Sequence, residues 1–129
     1  VIIKKRINEI DDFLKGDHVL ATEAICRSYG RLDEFIIPNL NINTGLIGLP
    51  PRFDLESKLK LSILKDEWQS YFDEQALIVE AIQHNVKLIP RDRICYGDPS
   101  EWDRPFYHFV GINYMENHRN WKKYIARII

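Results

Sequence analysis

The sequence has 129 residues, 45% hydrophobic and 29% charged, with 18 Lys and Arg against 19 Asp and Glu for a formal net charge of −1. That length excludes two full-sized domains and that composition excludes extended disorder, so one globular domain over 1–129 is expected. The charge balance excludes a uniformly basic surface, and no apolar run approaches the roughly 18 residues a membrane span requires.

The opening Val-Ile-Ile-Lys-Lys-Arg puts charge behind apolar residues with no apolar run after it, unlike a signal peptide. Two cysteines, Cys26 and Cys95, make no disulfide framework, so free buried thiols and a cytoplasmic location are expected. Ile3, Ile7, Ile10 and Leu14 recur at helical spacing and predict a helix over 2–15, with Gly16 as its stop and Asp17 as the next N-cap. Ala21, Ile25, Tyr29, Leu32 and Ile36 keep that period and predict a second helix from 18 to about 36. Gly30 weakens it by about 1 kcal/mol relative to Ala, and Pro38 ends it.

Residues 38–53 read as a long irregular loop, since three Asn, two Gly and three Pro punctuate it. It is nonetheless apolar, carrying Leu40, Ile42, Leu46, Ile47 and Leu49, so it is expected to lie over the core or over a partner. Asp54 is the expected N-cap of a third helix with Leu55, Leu59 and Ile63 on one face. Asp66 and Gln69 have the spacing of a capping box, restarting a helix at about 67. Trp68, Phe72, Ala76, Val79, Ile82 and Val86 form the most regular stripe in the chain. After Asn85, Val-Lys-Leu-Ile-Pro suits a brief strand, and 90–105 is loop-like. Phe106 to Met115 suits either a strand or a helix with Pro105 at N1, and Trp121, Ile125 and Ile128 suggest a closing helix.

The expected fold is mainly α, an irregular bundle of four or five helices with a long apolar loop after the second. The alternative is α+β, with Val86–Ile89 and Phe106–Met115 pairing as a small C-terminal sheet.

The densest reactive side chains fall between 91 and 108: Arg91, Asp92, Arg93, Cys95, Asp98, Glu101, Asp103, Arg104 and His108. On a Pro- and Gly-rich loop, Asp98, Glu101, Asp103 and His108 would suit a divalent metal, and Asp98, Asp103, Arg104 and His108 are the catalytic candidates. The competing reading is a polar loop of ion pairs and Asp-Pro turns. The order Arg104 then His108 is similar to that of the helical HEPN ribonucleases, where Arg would stabilise phosphate charge while His moves a proton. Their motif is wider than the three residues that intervene here, and membership is not assigned. His18, His84, His108 and His118 form no His-x-x-x-His pair, and no phosphate loop, Cys-x-x-Cys or Gly-x-Ser-x-Gly occurs.

Arg119, Lys122, Lys123 and Arg127 face only Glu116 near the end of the chain, with Trp121 among them. Such a segment could grip nucleic acid by phosphate contact and stacking, or be an ordinary amphipathic helix. Leu40, Ile42, Leu46, Ile47 and Leu49, with Trp102, Phe106 and Tyr107, put much apolar surface on non-helical segments and are the interface candidates. The leading functional expectation is a non-catalytic domain that binds another protein or a second copy of itself as a homodimer, needing no cofactor. The alternatives are a metal-dependent hydrolase or nuclease using 91–108, and a nucleic-acid binder using the C-terminal segment.

Overall fold

A computed structural model describes residues 1–25, 36–59 and 71–108, with the single positions 122, 123 and 126. The fold is α+β and not a helical bundle. Among the described residues there are three α-helices and two three-stranded sheets.

The chain opens with a strand, β1 (Ile2–Ile3), where a helix was expected, because Ile2 and Ile3 pair antiparallel with Tyr107 and Phe106. The first helix, α1 (Asn8–Lys15), starts six residues later than its periodicity suggested. Its working stripe is Ile7, Ile10 and Phe13, while Leu14 stays 73% exposed. Gly16 ends α1 in an extended conformation, its N–H donating to the Phe13 carbonyl.

The expected second helix is replaced, where described, by strand β2 (Val19–Glu23). Val19, Leu20, Ala21 and Thr22 are all buried, as in a strand covered on both faces. Its remaining expected span, 26–35, lies outside the described residues. The expected loop contains a second strand, β3 (Ile42–Gly48), antiparallel to β2. Two turns bracket it: Leu40 N–H bonds Ile37 across Pro38-Asn39, and Phe53 N–H bonds Pro50 across Pro51-Arg52. Asn39 (φ 65°) and Arg52 (φ 72°) supply the left-handed residue that follows each proline.

Asp54 caps the short helix α2 (Leu55–Lys58), accepting from the Ser57 N–H at 3.1 Å as expected. The proposed restart at 67 and Ile63 lie outside the described residues. The helix α3 (Tyr71–Ile82) buries Ala76, Val79 and Ile82, three members of the predicted stripe. Strand β4 (Val86–Ile89) follows, where a strand was expected. It runs parallel to β2 and gives the order β3-β2-β4. The remaining strands, β5 (Ile94–Cys95) and β6 (Phe106–Tyr107), are parallel to each other and complete the order β1-β6-β5. The two segments expected to pair with each other thus belong to different sheets.

Alternation along the strands sorts the core into two layers. Val19, Ala21 and Ile42 face α3, with Ala76, Leu77, Val79 and Ile82. Leu20 and Ile89 face the other way, onto Ile7 of the segment entering α1 and Ile94, Tyr96 and Phe106 of the smaller sheet. That shared layer fixes the two sheets against each other. It brings the carboxyl ends of β2, β4, β5 and β6 to one region. No helix among the described residues is long and apolar enough to cross a membrane.

Candidate ligand site at the strand carboxyl ends

Parallel strands end side by side, and the crevice beyond their carboxyl ends is where open α/β sheets seat ligands. Here β2 ends at Glu23, β4 runs into Pro90-Arg91, β5 into Tyr96 and β6 into His108. Glu23 links three of them: its carboxylate accepts the Arg91 backbone N–H at 2.6 Å, and its carbonyl accepts the Tyr96 hydroxyl. The Tyr96 ring contacts both other groups, with the His108 ring 5.5 Å away and tilted by 43°, and the Arg91 guanidinium 5.0 Å from its centroid. The His108 backbone N–H donates to Cys95 at 2.9 Å, fixing the end of β6 to that of β5. Burial pushes the Tyr96 phenol up, against the opposing effect of a hydrogen bond with Thr22.

A bulge in β3 completes the enclosure. Ala21 faces Ile47 while the next residue, Thr22, faces Asn43, so Thr44, Gly45 and Leu46 bow out of register. The Asn43 side chain accepts the Gly45 N–H at 2.8 Å and holds the bow. Gly45 then lies flat against His108: a Cβ there would sit 2.4 Å from the ring Cε1 and 2.5 Å from Nε2. Only glycine admits the imidazole at this distance.

His108 is 7% exposed, and its buried Nδ1 has no hydrogen-bond partner among the described residues. Burial lowers its pKa to about 4, so the ring is neutral at physiological pH. An unsatisfied buried nitrogen costs about 1–3 kcal/mol, a cost that a bound polar partner would remove.

Beside Tyr96, Glu101 gathers two arginines on one carboxylate oxygen, Arg91 at 2.7 Å and Arg104 at 2.8 Å, and its second oxygen accepts the Tyr96 N–H at 3.2 Å. Arg91 Nη1 and Arg104 Nη1 both donate to the Ile94 carbonyl, and Arg104 Nη1 also to that of Arg91. Glu101 is 12% exposed and the side chains of its two partners about a third, so the triad staples 91–104 to the sheet.

Of the catalytic candidates, His108 and Arg104 belong to this assembly and the two aspartates do not. Asp98 caps the turn Pro99–Glu101, accepting the Ser100 N–H and hydroxyl at 2.9 and 2.8 Å, and those bonds hold its carboxyl low. Asp103 is exposed. No three His, Cys, Asp or Glu side chains among the described residues are grouped as a metal site requires. Burial pushes the Cys95 thiol up, which removes thiolate character. The α+β architecture also sets the chain apart from the helical HEPN ribonucleases.

Of the interface candidates, Ile42, Phe106 and Tyr107 are fully buried, while Leu40, Leu46, Ile47 and Trp102 pack partly buried against the core. Leu49 stays 39% exposed. Of the nucleic-acid candidates, Lys122 and Lys123 are exposed, and Arg119, Trp121 and Arg127 lie outside the described residues. Sequence reasoning missed Thr22, Glu23, Gly45 and Tyr96 as site residues, because none belongs to a motif. The available signal was topological and partial: Glu23 ends a strand and Tyr96 follows one, while Thr22 and Gly45 lie inside strands. No known family matches the chain, and no curated protein or solved structure is significantly similar to it.

Proposed function

We propose that this chain is a binding domain whose small-molecule ligand sits beyond the carboxyl ends of β2, β4, β5 and β6 and bonds to His108. The observation that carries this reading is the buried Nδ1 of His108, without a partner among the described residues, amid side chains that are otherwise tightly paired. Neutral imidazole offers one donor and one acceptor, so the ligand needs a complementary polar group. Thermal-shift screening of nucleotides, sugar phosphates and small carboxylates tests it, in wild type and in His108→Asn. A ligand present at a hundred times its Kd stabilises by about 2.7 kcal/mol. The shift should fall sharply in His108→Asn; a ligand that stabilises both proteins equally counts against the reading.

A second reading, association with another protein or a second copy, is favoured by the position of β3 at the edge of its sheet with exposed Leu49 directly after it. Sedimentation of wild type and Leu49→Asp tests that reading; a concentration-independent monomer in both, with no captured partner, counts against it. A cytoplasmic setting suits the buried free thiol of Cys95.

A further inference from the structure

The ligand-binding reading leaves the chemical class of the ligand open, and Arg104 addresses it. A guanidinium has five N–H donors arranged as forks, and the fork made by Nε and Nη2 matches the two oxygens of a carboxylate or phosphate. In Arg104, Nη1 donates to the carbonyls of Ile94 and Arg91 and forms the ion pair with Glu101, and no described residue accepts from Nε or Nη2. The guanidinium is therefore held from behind through Nη1, while its Nε–Nη2 edge is unoccupied among the described residues, at a side chain 30% exposed. Nη1 cannot swing away without giving up the carbonyls of Arg91 and Ile94, so the open edge is preorganised.

We infer that the ligand carries an oxyanion, a phosphate or carboxylate group, gripped by the Nε–Nη2 fork of Arg104 beside the Arg91–Tyr96 stack. The inference rests on the ligand-binding reading above. The charges of Arg91 and Arg104 are offset by Glu23 and Glu101, so recognition comes from the geometry of the fork more than from a long-range field. The expected affinity for a bare ion is accordingly weak, with most of the binding energy supplied by the rest of a natural ligand.

The test is an NMR titration of the full chain with inorganic phosphate, with acetate, and with chloride as the control for ionic strength, following the Arg104 Nε–H and the His108 ring signals separately. Saturable movement of the Arg104 Nε–H with phosphate or acetate and not with chloride is the expected result, and whichever ion saturates first names the group. Arg104→Lys keeps the charge but loses the fork, and should weaken binding about tenfold. Movement that never saturates, that chloride reproduces, or that is spread evenly over exposed Lys and Arg overturns the inference. The wild-type titration decides it even where Arg104→Lys fails to fold. Saturation at Arg104 with the His108 ring unmoved, in every ion and in the screened ligands, leaves the oxyanion site standing and removes the His108 reading. A neutral ligand that moves His108 while no oxyanion moves Arg104 does the reverse.

Discussion

Placing a methyl group on Gly45 tests the enclosure of His108 directly. The added Cβ would lie 2.4 Å from Cε1 and 2.5 Å from Nε2 of the ring, against an ordinary contact of about 3.5–4.0 Å. The imidazole would have to retreat by roughly 1 Å. Tyr96 packs against the ring, and the backbone behind it is tied to Cys95, so the displacement spreads into both. Overpacking of this kind costs about 1–3 kcal/mol, and the enclosed ring argues for the upper half of that range. A smaller effect opposes it: alanine orders the unfolded chain and stabilises by about 0.4–1 kcal/mol where the backbone accepts it. Gly45 is not among the residues at positive φ, so that gain applies and the net loss should be about 2 kcal/mol. For a domain this size the melting temperature should fall by roughly 5–10 °C. Urea denaturation of Gly45→Ala, His108→Ala and the double variant supplies the cycle. Removing the ring removes the two shortest contacts and leaves Asn43 Oδ1 at 2.9 Å, so the double variant should be more stable than the sum of the singles by at least about 1 kcal/mol. A neutral Gly45→Ala, or additivity within about 0.5 kcal/mol, would refute the steric argument.

The pH dependence of stability should carry the signature of His108. Its folded pKa of about 4 lies below the unfolded value of about 6.5, so on acidification the unfolded chain takes the proton first. The stability is complete above about pH 6.5 and is lost as pH falls toward 4, by about 3 kcal/mol in all; His108→Asn should lack that loss, and parallel wild-type and variant curves would remove the assignment. Glu101→Ala leaves two arginines around an empty position and should cost about 2–3 kcal/mol by chemical denaturation, with a loss below 1 kcal/mol showing that the triad is not a staple. Arg52→Gly relieves a left-handed arginine at φ 72° in an exposed turn and should stabilise by about 0.5–1 kcal/mol, whereas a destabilised variant would mean that the Arg52 side chain itself is needed. Phe106→Ala opens the layer between the two sheets and should cost about 3–5 kcal/mol; a smaller loss would mean that the layer collapses readily.

Local patterns were legible where one side of an element is buried and the other is wet. The stripe Ala76, Val79, Ile82 and the Asp54 cap both belong to helices, and the Asn85-bounded Val86–Ile89 is a strand. Burial on both faces defeated the same reasoning at β2, because Val19-Leu20-Ala21-Thr22 has no polar face to reveal period two. Ala21 and Ile36 fall on a helical period by coincidence; both pack in the α3-facing layer, Ala21 from a strand and Ile36 from a bend. At β1, Ile3 joined the α1 stripe on paper, although its pairing partner Phe106 lies about a hundred residues away. In β3, Asn43 and Gly45 read as loop residues and in fact build a bulge inside a strand.

The candidate site was illegible for a related reason. Its core members come from different strands, Glu23 at the end of β2, Gly45 inside β3, Tyr96 after β5 and His108 after β6, so the window 91–108 holds only part of the site. Within 91–108, the reactive side chains singled out by type divide once folded: Asp98 turns the chain, Glu101 neutralises two arginines, and Cys95 is sealed in the core. His108 has no such structural duty in its side chain, since the bond that anchors its position comes from its backbone N–H. A residue placed by its backbone, enclosed by a glycine bulge and left with a buried nitrogen unpaired incurs a cost in stability with no compensating contact within the described chain. The histidine is therefore where a bound molecule would return the most stability to the fold, and ligand-induced stabilisation should vanish with its side chain before it vanishes with any other in the cluster.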